Sequence, residues 1–165
     1  MNVLIRPMQC EDLPAVHAIE LTSYTNPWSF LAMESEWANQ PFHHAFVAVE
    51  RQVGTLLGYC FFWYVHQDDV SLTNIAIHAL FRRQGIGKML LNAVIAFARA
   101  EHAPAVILEV RESNVAALRF YHRHGFEVVG RRARYYQRPI EDALLMRLDL
   151  HLADAGPFPA EDHAS

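Results

Sequence analysis

Cysteine is almost absent. Cys10 and Cys60 are the only two in 165 residues, and their spacing makes no metal or redox motif. A chain of this length buries enough surface to fold without disulfides, so the scarcity fits a reducing, cytoplasmic setting. Long apolar runs are missing too. Nothing approaches the roughly 20 consecutive apolar residues that cross a bilayer. The opening Met1-Asn2-Val3-Leu4-Ile5-Arg6-Pro7 has no basic stretch followed by an apolar one, so no export signal is read there. Positive charge is not in excess either: 14 Lys+Arg against 18 Asp+Glu give a net charge of -4. That balance disfavours direct binding to nucleic acid or to an anionic membrane. Internal repeats and long linkers are also lacking. What is present is an ordinary globular mixture, 52% hydrophobic and 19% charged, sized for one domain.

Residues 1–150 read as that domain, and 151–165, which include Ala-Asp-Ala-Gly-Pro-Phe-Pro, read as a disordered tail. Strands are expected over Val3–Met8, Ala45–Glu50, Leu56–Val65 and Val70–Ile77. Asp12 and Ser29 can cap helices reaching about Thr22 and Trp37. A longer helix is predicted from about Gly85 to Glu101, with Leu90, Leu91, Val94, Ile95 and Ala98 on one face. Then come a strand over Val106–Val110, a helix capped by Ser113 or Asn114 and ended by Gly125, and strands over Phe126–Arg132 and Leu144–Leu150. Strands first, then alternating strands and helices, predict an α/β fold. Its centre is a mixed, mostly antiparallel sheet with helices on both faces.

Two segments carry chemistry. Val106-Ile107-Leu108-Glu109-Val110 reads as a strand covered on both faces, in which a carboxylate is costly unless it borders a polar cleft or is paired. Upstream, Arg82-Arg83-Gln84-Gly85-Ile86-Gly87 opens the long helix. Glycines there let successive N–H groups converge at a helix N-terminus, a setting that favours an anion, above all a pyrophosphate. A Walker loop would need glycine at 82 and Ser/Thr at 89, where Arg82 and Met89 stand; a dinucleotide fingerprint would need glycine at 90, which is Leu90. The alternative is a strand–helix turn that uses glycine for packing. Past Glu109, Asn114 and Tyr121 are seven residues apart, on one helix face. Glu109 could accept a proton and Tyr121 could donate one. Against this, Glu109 could pair with Arg111 or with an arginine of another strand, and Tyr121 could be a core aromatic.

Taken together these segments resemble the GNAT family of acetyl-CoA-dependent N-acetyltransferases, and within it the RimI-type branch that acetylates a ribosomal-protein alanine. The likeness runs from about Ile5 to Leu148. It includes Asn26-Pro27-Trp28-Ser29, Asn74-Ile75-Ala76-Ile77, the glycine turn, Leu108-Glu109-Val110-Arg111-x-Ser113-Asn114, Leu118-x-x-Tyr121-x-x-x-Gly125-Phe126, and Arg131-Arg132 with Tyr135-Tyr136 and Glu141-Asp142-Ala143. The resemblance implies a GNAT domain over 1–150 with acetyl-CoA as co-substrate. Ile75, Ala76 and Ile77 would contact the acetyl and pantetheine arm by backbone. Arg83, Gln84, Gly85, Ile86, Gly87 and Lys88 would hold the pyrophosphate, and Asn114 would also touch acetyl-CoA. Glu109 matches the proton acceptor and Tyr121 the proton donor to the CoA thiolate. The partner implied is a protein with a free N-terminus, a small-subunit ribosomal protein. The segment Gln137-Arg138-Pro139-Ile140, near the acceptor in this family, is short and lacks glycine.

The chemistry of amines points the same way. An α-amine titrates about 2.5 units below lysine, on the order of 3.4 kcal/mol less to deprotonate near neutrality. A lysine or small-amine acceptor remains the enzymatic alternative, and a non-catalytic acyl-CoA-binding module the other. Ten histidines suggest metal, but His43-His44 and His122/His124 lack the i, i+4 spacing that one helix face requires, so no metal is expected. The basic cluster Arg131, Arg132, Arg134 and Arg138 reads either as a contact to CoA phosphates or a ribosomal surface, or as a solvated strand edge.

Overall fold

The computed structural model describes residues 1–38 and 41–150, so the expected tail at 151–165 lies outside the described residues. The chain forms strands β1 (Val3–Pro7), β2 (His43–Glu50), β3 (Leu56–Trp63), β4 (Val70–Ile77), β5 (Ala105–Arg111), β6 (Glu127–Tyr136) and β7 (Glu141–Asp149). Helices are α1 (Leu13–Ser23), α2 (Phe30–Ala38), α3 (Ile86–Ala100) and α4 (Val115–Arg123). One sheet holds all seven strands in the order β1-β2-β3-β4-β5-β7-β6. Only β4 and β5 run parallel; the other neighbours are antiparallel.

Alternation along the strands sorts side chains to two faces. Cys60 and Phe62 of β3 join Ile86, Leu90, Leu91 and Val94 of α3 in one core. Tyr59 and Phe61, their neighbours in sequence, join Leu13, Val16 and Ile19 of α1 and Met33 of α2 in another. Helices therefore cover both faces, as the element order predicts. The two cores explain why β2 and β3 read as nearly unbroken apolar runs.

Strand β5 departs from expectation. Val106, Leu108 and Val110 enter the α3 core, but Ile107, Glu109 and Arg111 on the other face are only half-buried. Helices α1 and α2 lie over β2, β3 and β4, not over β5. The final hairpin is also longer than the sequence suggests. β6 continues to Tyr136 and β7 begins at Glu141, but β6 is an exposed edge whose register slips at Val128/Gly130 and Arg132/Tyr136. No apolar alternation marks such a strand.

Candidate active site

β4 and β5 pair only from Val70 to Leu72 and from Val106 to Leu108. A bulge between Phe61 and Phe62 in the β3–β4 pairing places Thr73 where β4 turns away. Beyond it β4 follows β3, and β5 pairs with β7. The strands diverge and leave a cavity of about 610 Å³ between them. It is lined by Ile75, Ala76, Ile77, Arg83, Gly87, Glu109, Asn114 and Tyr121, so the structure brings together eight of the residues singled out in the sequence.

The four others stand just beyond the lining. Gln84, Gly85 and Lys88 are exposed in the turn and first helical turn, while the Ile86 side chain is buried in the core, leaving only its backbone N–H for a ligand. The turn is tight: Arg83 has φ 64° and Gly85 φ 81°, left-handed values that glycine adopts at little cost. Gly85 is the N-cap and supplies no side-chain acceptor, so the first N–H groups of α3 are left for an anion. Asn114 caps α4, its Oδ1 accepting from Ala117 N at 3.2 Å.

Glu109 and Tyr121 reach this cavity from opposite sides of the sheet. Tyr121 belongs to the α3–α4 core and is 6% exposed; burial first, then Cys60 and Tyr136, pushes its phenol well above the ordinary range. Glu109 alternates with the core residues Leu108 and Val110 and so faces the other way. Its carboxylate receives Arg132 Nε at 3.1 Å, and its proximity raises the Tyr135 phenol above the ordinary range. This is the pairing with another strand's arginine that the sequence left open. Arg131 is held by Glu112 at 2.7 Å and Asp142 at 2.9 Å, so two of the four clustered arginines have acid partners.

Several cavity residues were given no role in the site by sequence reasoning. Tyr24 donates its hydroxyl to Ile75 O at 2.6 Å. Arg82 Nε donates to Ile77 O at 3.1 Å. Glu20, 1% exposed, accepts from the Tyr59 hydroxyl, from Asn74 Nδ2 at 2.9 Å and from Trp28 N at 3.0 Å. Its signal was available, for a glutamate beside Ile19 on the apolar face of α1 needs partners. Gly58 also escaped notice: a Cβ there would stand 2.8 Å from Ala76 O, so only glycine lets β3 approach β4 behind the cavity. Near the mouth, Arg111 donates to Gln137 O and Pro139 O, each at 3.3 Å, and Asn26 Nδ2 donates to Gln137 O and Arg138 O, each at 3.2 Å. Arg111 also lies 4.2 Å over the Tyr136 ring.

Parting parallel strands, a glycine turn opening α3 and a buried tyrosine on α4 coincide with the family comparison: the model of the acetyltransferase (GNAT) family matches residues 13–126. This chain belongs to the GNAT family. A Bacillus subtilis (strain 168) protein, a candidate ribosomal protein bS18-alanine N-acetyltransferase, is 37% identical over 142 residues, 86% of this chain and 92% of its own. The N-alpha-acetyltransferase RimI of Mycobacterium tuberculosis (strain ATCC 25618 / H37Rv) is 34% identical over 144 residues, 86% of this chain and 85% of its own. In three dimensions, the ribosomal-protein-S18-alanine N-acetyltransferase from Escherichia coli superposes with a TM-score of 0.81 at 30% identity, covering 90% of this chain and 94% of that one.

For a GNAT acetyltransferase the remaining nucleophile candidates are weak. Cys60 is buried and its thiol is pushed up to about 12 by burial, so it is not a thiolate at neutral pH. Cys10 is exposed and does not line the cavity. Among the described residues no group of three or more His, Cys, Asp or Glu side chains is arranged to hold a metal ion. No helix among them is long and apolar enough to cross a membrane.

Proposed function

We propose that this GNAT domain transfers acetyl from acetyl-CoA to the α-amine of a protein, with the N-terminal alanine of a small-subunit ribosomal protein as acceptor, in the cytoplasm. The observation that carries the chemistry is that Glu109 and Tyr121 line one cavity from opposite faces of the sheet. The acceptor follows from the likeness to RimI-type enzymes over nearly the whole domain.

In this reading the thioester arm lies along β4, its pyrophosphate at the N–H groups opening α3. The amine comes from the Glu109 side and its nitrogen bonds to the thioester carbonyl carbon. Glu109 takes the proton that nitrogen loses, directly or through water. As the tetrahedral intermediate collapses the C–S bond breaks, and the sulfur leaves toward Tyr121. Because burial keeps that phenol protonated, it meets the thiolate first as a hydrogen-bond donor. No covalent enzyme intermediate is needed.

CoA release from purified protein tests this, using acetyl-CoA with peptides starting Ala, Ser or Met and an α-blocked lysine peptide. Turnover on the Ala peptide, lost in Glu109→Gln, is the expected result. Turnover on the lysine peptide alone would reassign the acceptor. CoA binding without turnover on any peptide would favour a binding module. The short 137–140 segment supports acceptance of more than one N-terminal residue; strict rejection of the Ser and Met peptides would refute that.

A further inference from the structure

Once β5 departs, the outer edge of β4 has no neighbouring strand. Backbone groups on such an edge need partners. Alternation turns the N–H and C=O of Ile75 and Ile77 outward and those of Ala76 toward β3. Both outward carbonyls are taken by side chains: Ile75 O by the Tyr24 hydroxyl at 2.6 Å and Ile77 O by Arg82 Nε at 3.1 Å. The two side chains belong to one assembly, since Arg82 also reaches Ser23 Oγ, next to Tyr24, at 3.4 Å. A third strand in their place would close the cavity; single side chains satisfy the edge and leave it open.

Tyr24 does more than fill a vacancy. Its short bond is to the carbonyl, while Ile75 N stands 3.4 Å from the same oxygen, a weak contact that a carbonyl of a ligand can replace. Tyr24 is itself fixed. Tyr24 N donates to Glu20 O at 3.3 Å, and the Glu20 carboxylate is anchored in the interior by Tyr59 and Asn74. The enclosed setting of its hydroxyl, and next the nearby Glu20 carboxylate, raise the Tyr24 phenol above its ordinary range, so at neutral pH it is a neutral donor.

We propose that Tyr24 is a positioning residue for acetyl transfer, gripping the Ile75 carbonyl so that the Ile75 N–H is aimed at the thioester oxygen as charge develops on it. This rests on the acetyl-transfer reading above. Tyr24 acts through Ile75 and exchanges no proton.

The test is Tyr24→Phe, which removes one oxygen and keeps the ring. With the Ala-starting peptide, kcat should fall roughly tenfold, in line with one misaligned hydrogen bond in the transition state, while the KM for acetyl-CoA stays within about twofold. The Ile75 amide signal in ¹⁵N NMR should differ between the wild-type protein and Tyr24→Phe before ligand is added, and its shift on adding acetyl-CoA should be smaller in the variant. An unchanged kcat, or an unchanged Ile75 response, would overturn the proposal. So would a lower melting temperature accompanied by equal losses in both kinetic constants, the mark of a packing role. If wild-type protein acetylates no peptide, the function reading fails, and the Ile75 response to acetyl-CoA still decides the role of Tyr24.

Discussion

Arg132 Nε lies 3.1 Å from Glu109 Oε1, reaching from β6 across β7 to β5. The carboxylate proposed as the base is thus held from one side by an arginine whose side chain is 58% exposed. Exposed pairs contribute little to folding, so Arg132→Gln should change stability by less than about 1 kcal/mol in urea unfolding. Glu109→Gln should be equally mild for stability yet lower kcat/KM for the peptide by about 10²–10³, with CoA affinity preserved. A large folding defect in Glu109→Gln would mean the residue serves the sheet and not the reaction.

Tyr121→Phe is expected to reduce kcat by about 10² with little change in peptide KM. Because the phenol titrates well above its usual range, it remains protonated through neutral and moderately alkaline pH. The wild-type rate should therefore show no alkaline decline from Tyr121 below about pH 10. A decline there that disappears in Tyr121→Phe would contradict the buried, protonated phenol.

Gly85→Ala should weaken CoA binding and cost about 1–2 kcal/mol of stability, since φ is 81° and L-residues resist that region. No atom lies within 4 Å of a Cβ built there, so the penalty is conformational and not steric. Calorimetric CoA titration beside a thermal melt separates the two effects. Unchanged affinity would remove the turn from the proposed phosphate site.

His44 packs against Phe62 and Phe97, with ring centroids 5.3 and 4.8 Å away, and burial lowers its pKa below 6.5. The unfolded chain then binds the proton more readily than the folded one. Its contribution to stability is complete above pH 6.5 and is lost as pH falls toward the lowered value. His44→Phe should flatten the stability curve in that window. An unchanged slope in urea unfolding at several pH values would show that other groups govern it.

The parts legible in the sequence are those fixed by short-range pattern. The stripe Leu90, Leu91, Val94, Ile95 and Ala98 gave α3 to within a residue at each end, and Gly125 marked the end of α4. The glycine turn, Glu109 and Tyr121 were visible because each breaks or punctuates such a pattern. Tyr24 was not, and Arg82 and Arg132 read only as members of the glycine turn and of a basic cluster, for the contacts that give all three their meaning lie 51, 5 and 23 residues away and depend on where β4 leaves β5. Asn26 likewise reads as a turn residue until the 137–138 carbonyls are brought to it. The long β6 was hidden by its polarity, since an edge strand needs no buried face to persist.

The parted strands make this sheet an unfastened seam. A thioester arm lying along β4 would do up part of it, supplying to the outward N–H groups of Ile75 and Ile77 the kind of partners that a strand normally supplies. Occupancy and folding would then share one ledger: at 100 times Kd a co-substrate adds about 2.7 kcal/mol of stability by mass action. An enzyme built this way would be hardier when acetyl donors are plentiful and softer when they run short.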